Sequence, residues 1–485
     1  MRDSSDSLKL QAYESLLAIT PGPLRDRFAA RFGSMQSNYH KQKRDAFEGF
    51  FAFAAGESLP RYPLEIFLEV SNVCDLKCAM CPTFSALNPQ RFHNLSERDR
   101  GLMSLEENVQ PLEEYLAHAP VVHAHGYGEP TIHPQFREFI SYLSSFEVMV
   151  DFFTNGMHMD AELAAFLVEK RVSRITVSMS GTTAEDYENV YIGGKFDKLL
   201  AGLDNLRRAK EAAGSVFPRV EVNSIAFKHH VNRFPEFVRL LGEHGVSNIH
   251  LKPLTPHKPI EELHAHVAQL GVDVEESVLD EARAIAEEYG MHLATRPFEI
   301  HKAPAFVRKF DAEKSEVVQI KDLKAISRQT VMEKDRVDDR TASFLTLNQV
   351  RIGKATPCME PFTTMFVRFS GEIMPCCFTG MPKGLANVKK DTAEDLWRSD
   401  NHLSFRMMAL DGRYPKGPCG SCISRSAYPK SHNVDGITSR YASWYMEAFG
   451  VPFHANVQKQ ARDLPDNFEI VQAWSDQIDN VFGPA

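Results

Sequence analysis

The amino-acid sequence predicts an α/β protein: a partial (β/α)6 barrel of parallel strands, a small cysteine-bearing module after it, and helical extensions at the N- and C-termini. Three observations carry this expectation. Six short apolar, β-branched runs between residues 63 and 254 alternate with amphipathic helical patterns. The eight cysteines of the 485-residue chain fall into two groups, one just behind the first strand and one beyond residue 350. The composition, 43% hydrophobic and 25% charged, is globular, and the length suits two to three domains of roughly 150 residues.

Charge narrows the partners. With 55 basic and 64 acidic side chains the formal balance is −9, so no global field draws in nucleic acid or anionic lipid. No apolar run reaches the roughly 18 residues of a membrane span, and "MRDSSDSLKL" lacks the charged-then-apolar plan of a signal peptide. The expectation is a cytoplasmic protein with no nucleic-acid or membrane partner. In a reducing compartment clustered cysteines point to metal or redox chemistry rather than disulfides. The "NLS" at Asn94 is then a chance match to a glycosylation pattern.

The elements follow in order. "PLEIFLEVSN" is a strand that ends where Cys74, Cys78 and Cys81 form C-x3-C-x2-C. Structural zinc takes four closed thiolate or imidazole ligands, so three thiolates without an obvious fourth leave a soft site open; zinc or unrelated buried thiols is the competing reading. Three thiolates can hold a [4Fe–4S] cubane with one iron free, and a loop at a strand's C-terminal end is where α/β barrels place their chemistry. "VVHAHGYGEP" is a second strand running into a glycine turn, "VMVDFFTNG" a third, and "RITVSMSG" a fourth, in which Ser178 and Ser180 share one face. "RVEVNSIAF" and "NIHLKPL" supply the fifth and sixth. "AELAAFLVEKR", "GKFDKLLAGLDNLRRAKEA" and "NRFPEFVRLLGEHG" carry apolar residues at three- and four-residue intervals, and short right-handed crossovers favour parallel pairing.

This order of segments resembles the radical S-adenosylmethionine (SAM) superfamily. The resemblance implies that Cys74, Cys78 and Cys81 hold a [4Fe–4S] cluster whose open iron binds the amino and carboxylate groups of SAM. It further implies cofactor contacts at Met80 against adenine, at Gly126, Gly128 and Glu129 in a G-Y-G-E-P turn where the family has G-G-E-P, at Asn155 in T-N-G, and at Ser178, Ser180 and Asn223. Lys252 reaches the cofactor or sits at the rim.

The second cysteine group reads C-x12-G-x4-C from Cys358 to Cys376, with Cys377 adjacent and C-x2-C at Cys419 and Cys422. "TMFVRFSGEIMPCC" is a hairpin turning at Ser370 and Gly371. Four thiolates with one C-x2-C pair also suit a zinc ribbon. Behind a radical SAM core the pattern resembles the SPASM/twitch group, which implies one auxiliary [4Fe–4S] cluster on Cys358, Cys376, Cys419 and Cys422. Adjacent strand residues face opposite ways, so only one of Cys376 and Cys377 is a ligand, and the G-x4-C count favours Cys376. Four thiolates saturate that cluster, which points to electron transfer.

The expected organisation is a helical extension over residues 1–60, the barrel over 61–255, a helical and charged connector over 256–345, the cluster module over 346–425 and an extension over 426–485. The charged stretch "VRKFDAEKSEVVQIKDLKAISRQ" is read as a solvated face, and the aromatic "YASWYMEAFGVPF" as core packing. The favoured function is dehydrogenation or epimerisation of a sugar, aminosugar or cyclitol, with flavodoxin or ferredoxin as one-electron reductant. The alternatives are a peptide or protein maturase, and a non-catalytic iron–sulfur carrier.

Overall fold

The computed structural model describes residues 59–87, 100–254 and 258–295 apart from single positions, the strands 315–319 and 349–354, residues 360–376 and 384–399, and parts of 43–50 and 401–415. Cys358, Cys377, Cys419, Cys422, Asn94 and the aromatic stretch 441–453 lie outside the described residues.

Strands β1 (Glu65–Leu68), β2 (Val121–His123), β3 (Met149–Thr154), β4 (Arg174–Ser178), β5 (Arg219–Ile225) and β6 (Asn248–Lys252) pair in sequence order, each parallel to the last. The crossovers carry helices α1 (Glu113–His118), α2 (Phe136–Ser144), α3 (Ala161–Glu169), α4 (Phe196–Ala213) and α5 (Phe234–Glu243). Each helix turns one apolar stripe to the sheet. Phe136, Phe139, Ile140 and Leu143 do so on α2, and Phe234, Phe237, Val238 and Leu241 on α5. The helix starts and stops follow local chemistry. Asp160 caps α3 by accepting from the Leu163 amide at 2.8 Å.

The two faces of the sheet differ, and this positions the site. Ile66, Leu68, Val122, Val150, Phe152, Ile175, Val177, Val222, Ile249 and Leu251 face the helices, none more than 2% exposed. At about 1.5–3 kcal/mol per fully buried apolar side chain, this layer dominates the stability of the barrel. The alternate positions Glu65, His123, Asp151, Arg174, Glu221, Asn223 and His250 face the other way, so the lumen is polar.

The parallel sheet does not stop at β6. Helix α6 (Glu276–Glu288) leads to β7 (His292–Thr295), parallel to β6, within the stretch read as a connector. On the other side of β1 the sheet takes in the hairpin β10 (Thr364–Val367) and β11 (Glu372–Met374), followed by β12 (Ala386–Asn387). Strand β10 runs parallel to β1, so the expected hairpin is a continuation of the barrel sheet rather than a separate layer. It turns at Ser370 and Gly371, where Gly371 has φ +89, a conformation open to glycine. Two strands, β8 (Ser315–Gln319) and β9 (Gln349–Lys354), pair antiparallel, and β13 (Arg413–Pro415) joins β9. Strand β8 is the "SEVVQ" of the stretch read as a solvated face, where Val317 and Val318 supply β-branching.

Both ends of the described chain are tied to the barrel. Ala46, Phe47 and Phe50 are buried in the main core, and Trp397, fully buried, donates its indole N–H to the Pro60 carbonyl at 3.1 Å. Among the described residues no helix is long and apolar enough to cross a membrane.

Candidate active site

The loop carrying Cys74, Cys78 and Cys81 leaves the C-terminal end of β1 and is pinned by backbone hydrogen bonds. The amides of Lys77 and Ala79 donate to the carbonyls of Ile192 and Val190 at 2.9 and 2.8 Å, and the Phe84 amide donates to Cys81 Sγ at 3.3 Å. All three thiols are free and partly exposed. Burial pushes each of them up, Cys78 to about 12 with Cys81 beside it adding to the shift. Among the described residues the three sulfurs do not gather within 4.8 Å of one another. Ligands of one tetrahedral zinc, at about 2.3 Å from the metal, would lie about 3.8 Å apart. Three thiolates are the donor set that a [4Fe–4S] cubane with one open iron would take. Met80 sits partly buried against the core beside this loop. On the hairpin, Cys376 is a partly exposed thiol, outside any disulfide, two residues past β11.

The glycines of the 126–129 loop serve packing within the protein. A Cβ at Gly126 would collide with Glu69 Cγ and lie 2.7 Å from Glu69 Cβ; one at Gly128 would collide with the Val73 carbonyl and lie 2.6 Å from the Ser71 oxygen. Their absence lets the loop lie flat on the strand entering the cysteine loop, where Gly128 and Glu129 amides donate to Ser71 and Val73 at 3.1 and 2.8 Å. Glu129 is buried, and burial raises its pKa against the donors it holds. Thr131 and Thr154 bond one oxygen and the Asn155 amide the other, at 2.7 Å for both Thr154 and Asn155. Asn155 in turn reaches Asp75 Oδ1 at 2.8 Å, while His158 takes Asp75 Oδ2 at 2.9 Å. The loops after β1, β2 and β3 are thus one hydrogen-bonded unit.

Ser178 and Asn223 lie side by side in register across β4 and β5, facing the lumen, and Asn223 Oδ1 is buried without a hydrogen-bond partner. Such a group fits a polar cofactor. Ser180 departs from the expected shared face. It is fully buried, accepts from the Ile225 amide at 2.8 Å and meets Tyr191 Oη at 3.2 Å, because the chain turns out of the strand after Ser178. Lys252 ends β6 at the rim beside Ile225. Of the residues expected at the cofactor, hydrogen bonds join the cysteine loop, the 126–129 loop and Asn155, and Ser178 and Asn223 pair with each other on the neighbouring strands.

Sequence reasoning missed the lumen. His123 donates to Asp151 Oδ1 at 2.6 Å and to Glu65 Oε2 at 2.8 Å, Arg174 clamps Asp151, and Glu221 forms an ion pair with Arg219 at 3.0 Å and accepts from His250 at 3.3 Å. This ladder joins β1 to β6. Above it His125 stacks on Phe153, ring centroids 4.4 Å apart, and meets Phe67 edge-on. His125 Nδ1 is buried and without a partner. Burial pushes the His125 pKa down to about 3, more than the nearby Asp151 raises it, so the imidazole is neutral. The readable signal was polar residues at period two inside apolar runs, as in "VVHAHG" and "MVDFFT".

Comparison with known proteins agrees with this geometry. The Radical SAM superfamily model matches residues 68–241, and the model of an iron-sulfur cluster-binding domain, SPASM, matches residues 358–423. Mycofactocin maturase MftC of Mycobacterium ulcerans is 28% identical over 48% of this chain and 59% of its own length. The tungsten-containing aldehyde ferredoxin oxidoreductase cofactor-modifying protein of Pyrococcus furiosus is 23% identical over 76% of this chain and 90% of its own. The AdoMet-dependent heme synthase of Methanosarcina barkeri is 23% identical over 74% and 88%. The chain spans about half the length of the maturases, 59% of the M. ulcerans protein and 43% of that from Mycobacterium tuberculosis. Among solved structures, SuiB of Streptococcus suis bound to precursor peptide SuiA has a TM-score of 0.47 at 14% identity, covering 72% of this chain and 67% of that one. The chain belongs to the radical SAM superfamily and carries a SPASM iron–sulfur domain after the radical SAM domain.

Proposed function

We propose that this protein is a radical SAM maturase that abstracts hydrogen from a peptide or protein substrate held in the barrel lumen. Its cofactors, [4Fe–4S] clusters and SAM, supply the one-electron chemistry that yields a 5′-deoxyadenosyl radical. Cys74, Cys78 and Cys81 would hold the catalytic cluster, and Cys358, Cys376, Cys419 and Cys422 an auxiliary one. The observation that carries the substrate class is the likeness to mycofactocin maturase. Other sequence relatives are named for cofactor modification, heme synthesis and GTP 3′,8-cyclisation, each at lower identity than this maturase.

The chain's own contribution is placement. The ladder from Glu65 to His250 pairs its charges internally, so it forms a floor rather than a charged binding site. His125, held neutral above this floor with Nδ1 unpartnered, and the Asn223 oxygen are the groups that would hydrogen-bond and orient a substrate there. A second reading, a small cofactor precursor as substrate, is favoured by the P. furiosus and M. barkeri relatives, which align over most of both chains. The deciding experiment is 5′-deoxyadenosine release by the anaerobically reconstituted protein with SAM and dithionite, given either the peptide or the small-molecule fraction of a host extract. Stimulation by the peptide fraction is expected. Stimulation by the small-molecule fraction alone would replace the maturase reading with the second.

A further inference from the structure

Glu69 is the last residue of the run "EIFLE", in a place where a strand continuing on apolar residues would bury better. Its side chain is fully enclosed. Two loops from distant parts of the sequence close on it. From the barrel side, Gly126 packs on its methylenes, where any side chain would collide, and the Tyr127 amide approaches the carboxylate. From the hairpin side, the Phe369 amide donates to Oε2 at 3.2 Å and Arg368 Nε lies 4.0 Å from the same oxygen. The backbone repeats the arrangement, with the Glu69 amide donating to the Val367 carbonyl at 2.9 Å. Oε1 has no hydrogen-bond partner and is buried. A buried carboxylate with half its valence unmet is costly to keep, so hydrophobic packing alone does not explain it.

We propose that Glu69 is a positioning residue that couples the SAM-binding loop to the hairpin of the auxiliary-cluster module. One carboxylate is touched by residues 126–127 and by residues 368–369, so a shift of either loop changes what the other meets. Burial pushes the Glu69 pKa up to about 7, with Arg368 opposing, which agrees with a carboxyl held by contacts on both sides rather than by solvent. Coupling of this kind is reciprocal: occupancy of the SAM loop must tighten the hairpin, and loosening the hairpin must weaken the cofactor. The inference rests on residues 126–129 binding SAM and does not depend on the substrate class.

The test uses the reconstituted full chain and S-adenosylhomocysteine, which lacks the sulfonium and is not cleaved. Equilibrium dialysis gives affinity, and amide hydrogen exchange reads residues 364–374. In the wild type the ligand is expected to slow exchange at these hairpin amides by about fivefold. Glu69→Ala should bind about tenfold more weakly and lose the ligand-dependent slowing, while Glu69→Gln, which keeps the acceptor for the Phe369 amide, should restore most of it. A merely structural role would raise basal exchange in both variants and leave the ligand-dependent increment intact. That result, or hairpin exchange in the wild type indifferent to the ligand, overturns the proposal. Failure of the wild type to bind at all would remove the cofactor-loop reading and the proposal with it. If Glu69→Ala does not fold, Phe369→Pro, which removes the hairpin amide that donates to Glu69, takes its place: an intact ligand-dependent increment in that variant overturns the proposal.

Discussion

At the residue scale, the informative group is His123, a buried imidazole locked between two carboxylates. Burial alone would lower its pKa, but Asp151 and Glu65 outweigh it and raise the value from 6.5 to about 9, while Asp151 itself is held below the usual carboxylate range. A histidine whose folded pKa is raised stabilises the fold fully below its unfolded value, and that contribution is lost as pH rises through the folded one. From about pH 6.5 to about pH 9 the protein should therefore lose on the order of 3 kcal/mol from this group. Thermal midpoints measured anaerobically across that window check it. Asp151→Asn should lower the midpoint at pH 6.5, as breaking a buried ion pair costs roughly 3–5 kcal/mol, and flatten the decline. An unchanged pH slope in the variant would assign the ladder's stability to other groups.

At the scale of elements, the expected strands and the crossover helices are all present, because the helix-facing positions carry period-two apolar residues that only one pleat satisfies. What was not legible is pairing between distant segments. Nothing in "TTMFV" says that it lies parallel to β1, since the partner choice is made by Phe67, Phe366 and Tyr127 packing together across the seam. Nor does the spacing of the G-Y-G-E-P segment reveal that its glycines pack against Glu69 and Val73. That geometry makes Gly128→Ala a severe change for one methyl. It should cost about 1–3 kcal/mol and separate the 126–129 loop from the cysteine loop, so that S-adenosylhomocysteine affinity falls while the auxiliary cluster persists. Wild-type affinity in this variant, by dialysis, would mean that the Ser71 and Val73 carbonyls yield without disturbing the site.

At the scale of the whole molecule, the ten-stranded sheet is a single body with cysteines delivered to it from two directions: from the loop behind β1 and from the hairpin that pairs with β1. The fold and the first cysteine set could be read from spacing because three thiols within eight residues constrain a loop locally. The auxiliary set spans 358–422, so its assembly depends on long-range packing that spacing reports only in part. The assignment is open to a count of iron. Two cubanes bring about eight irons per chain, and removing one should leave about four. Cys74→Ala should leave about four irons, the auxiliary set, and no 5′-deoxyadenosine with SAM and dithionite. Cys376→Ala should also leave about four irons but keep substrate-independent SAM cleavage, because the loop after β1 is pinned by its own backbone bonds to residues 190–192. If Cys377→Ala rather than Cys376→Ala empties the auxiliary site, the hairpin presents its other face to the cluster. The G-x4-C count would then be off by the one residue that reverses a strand.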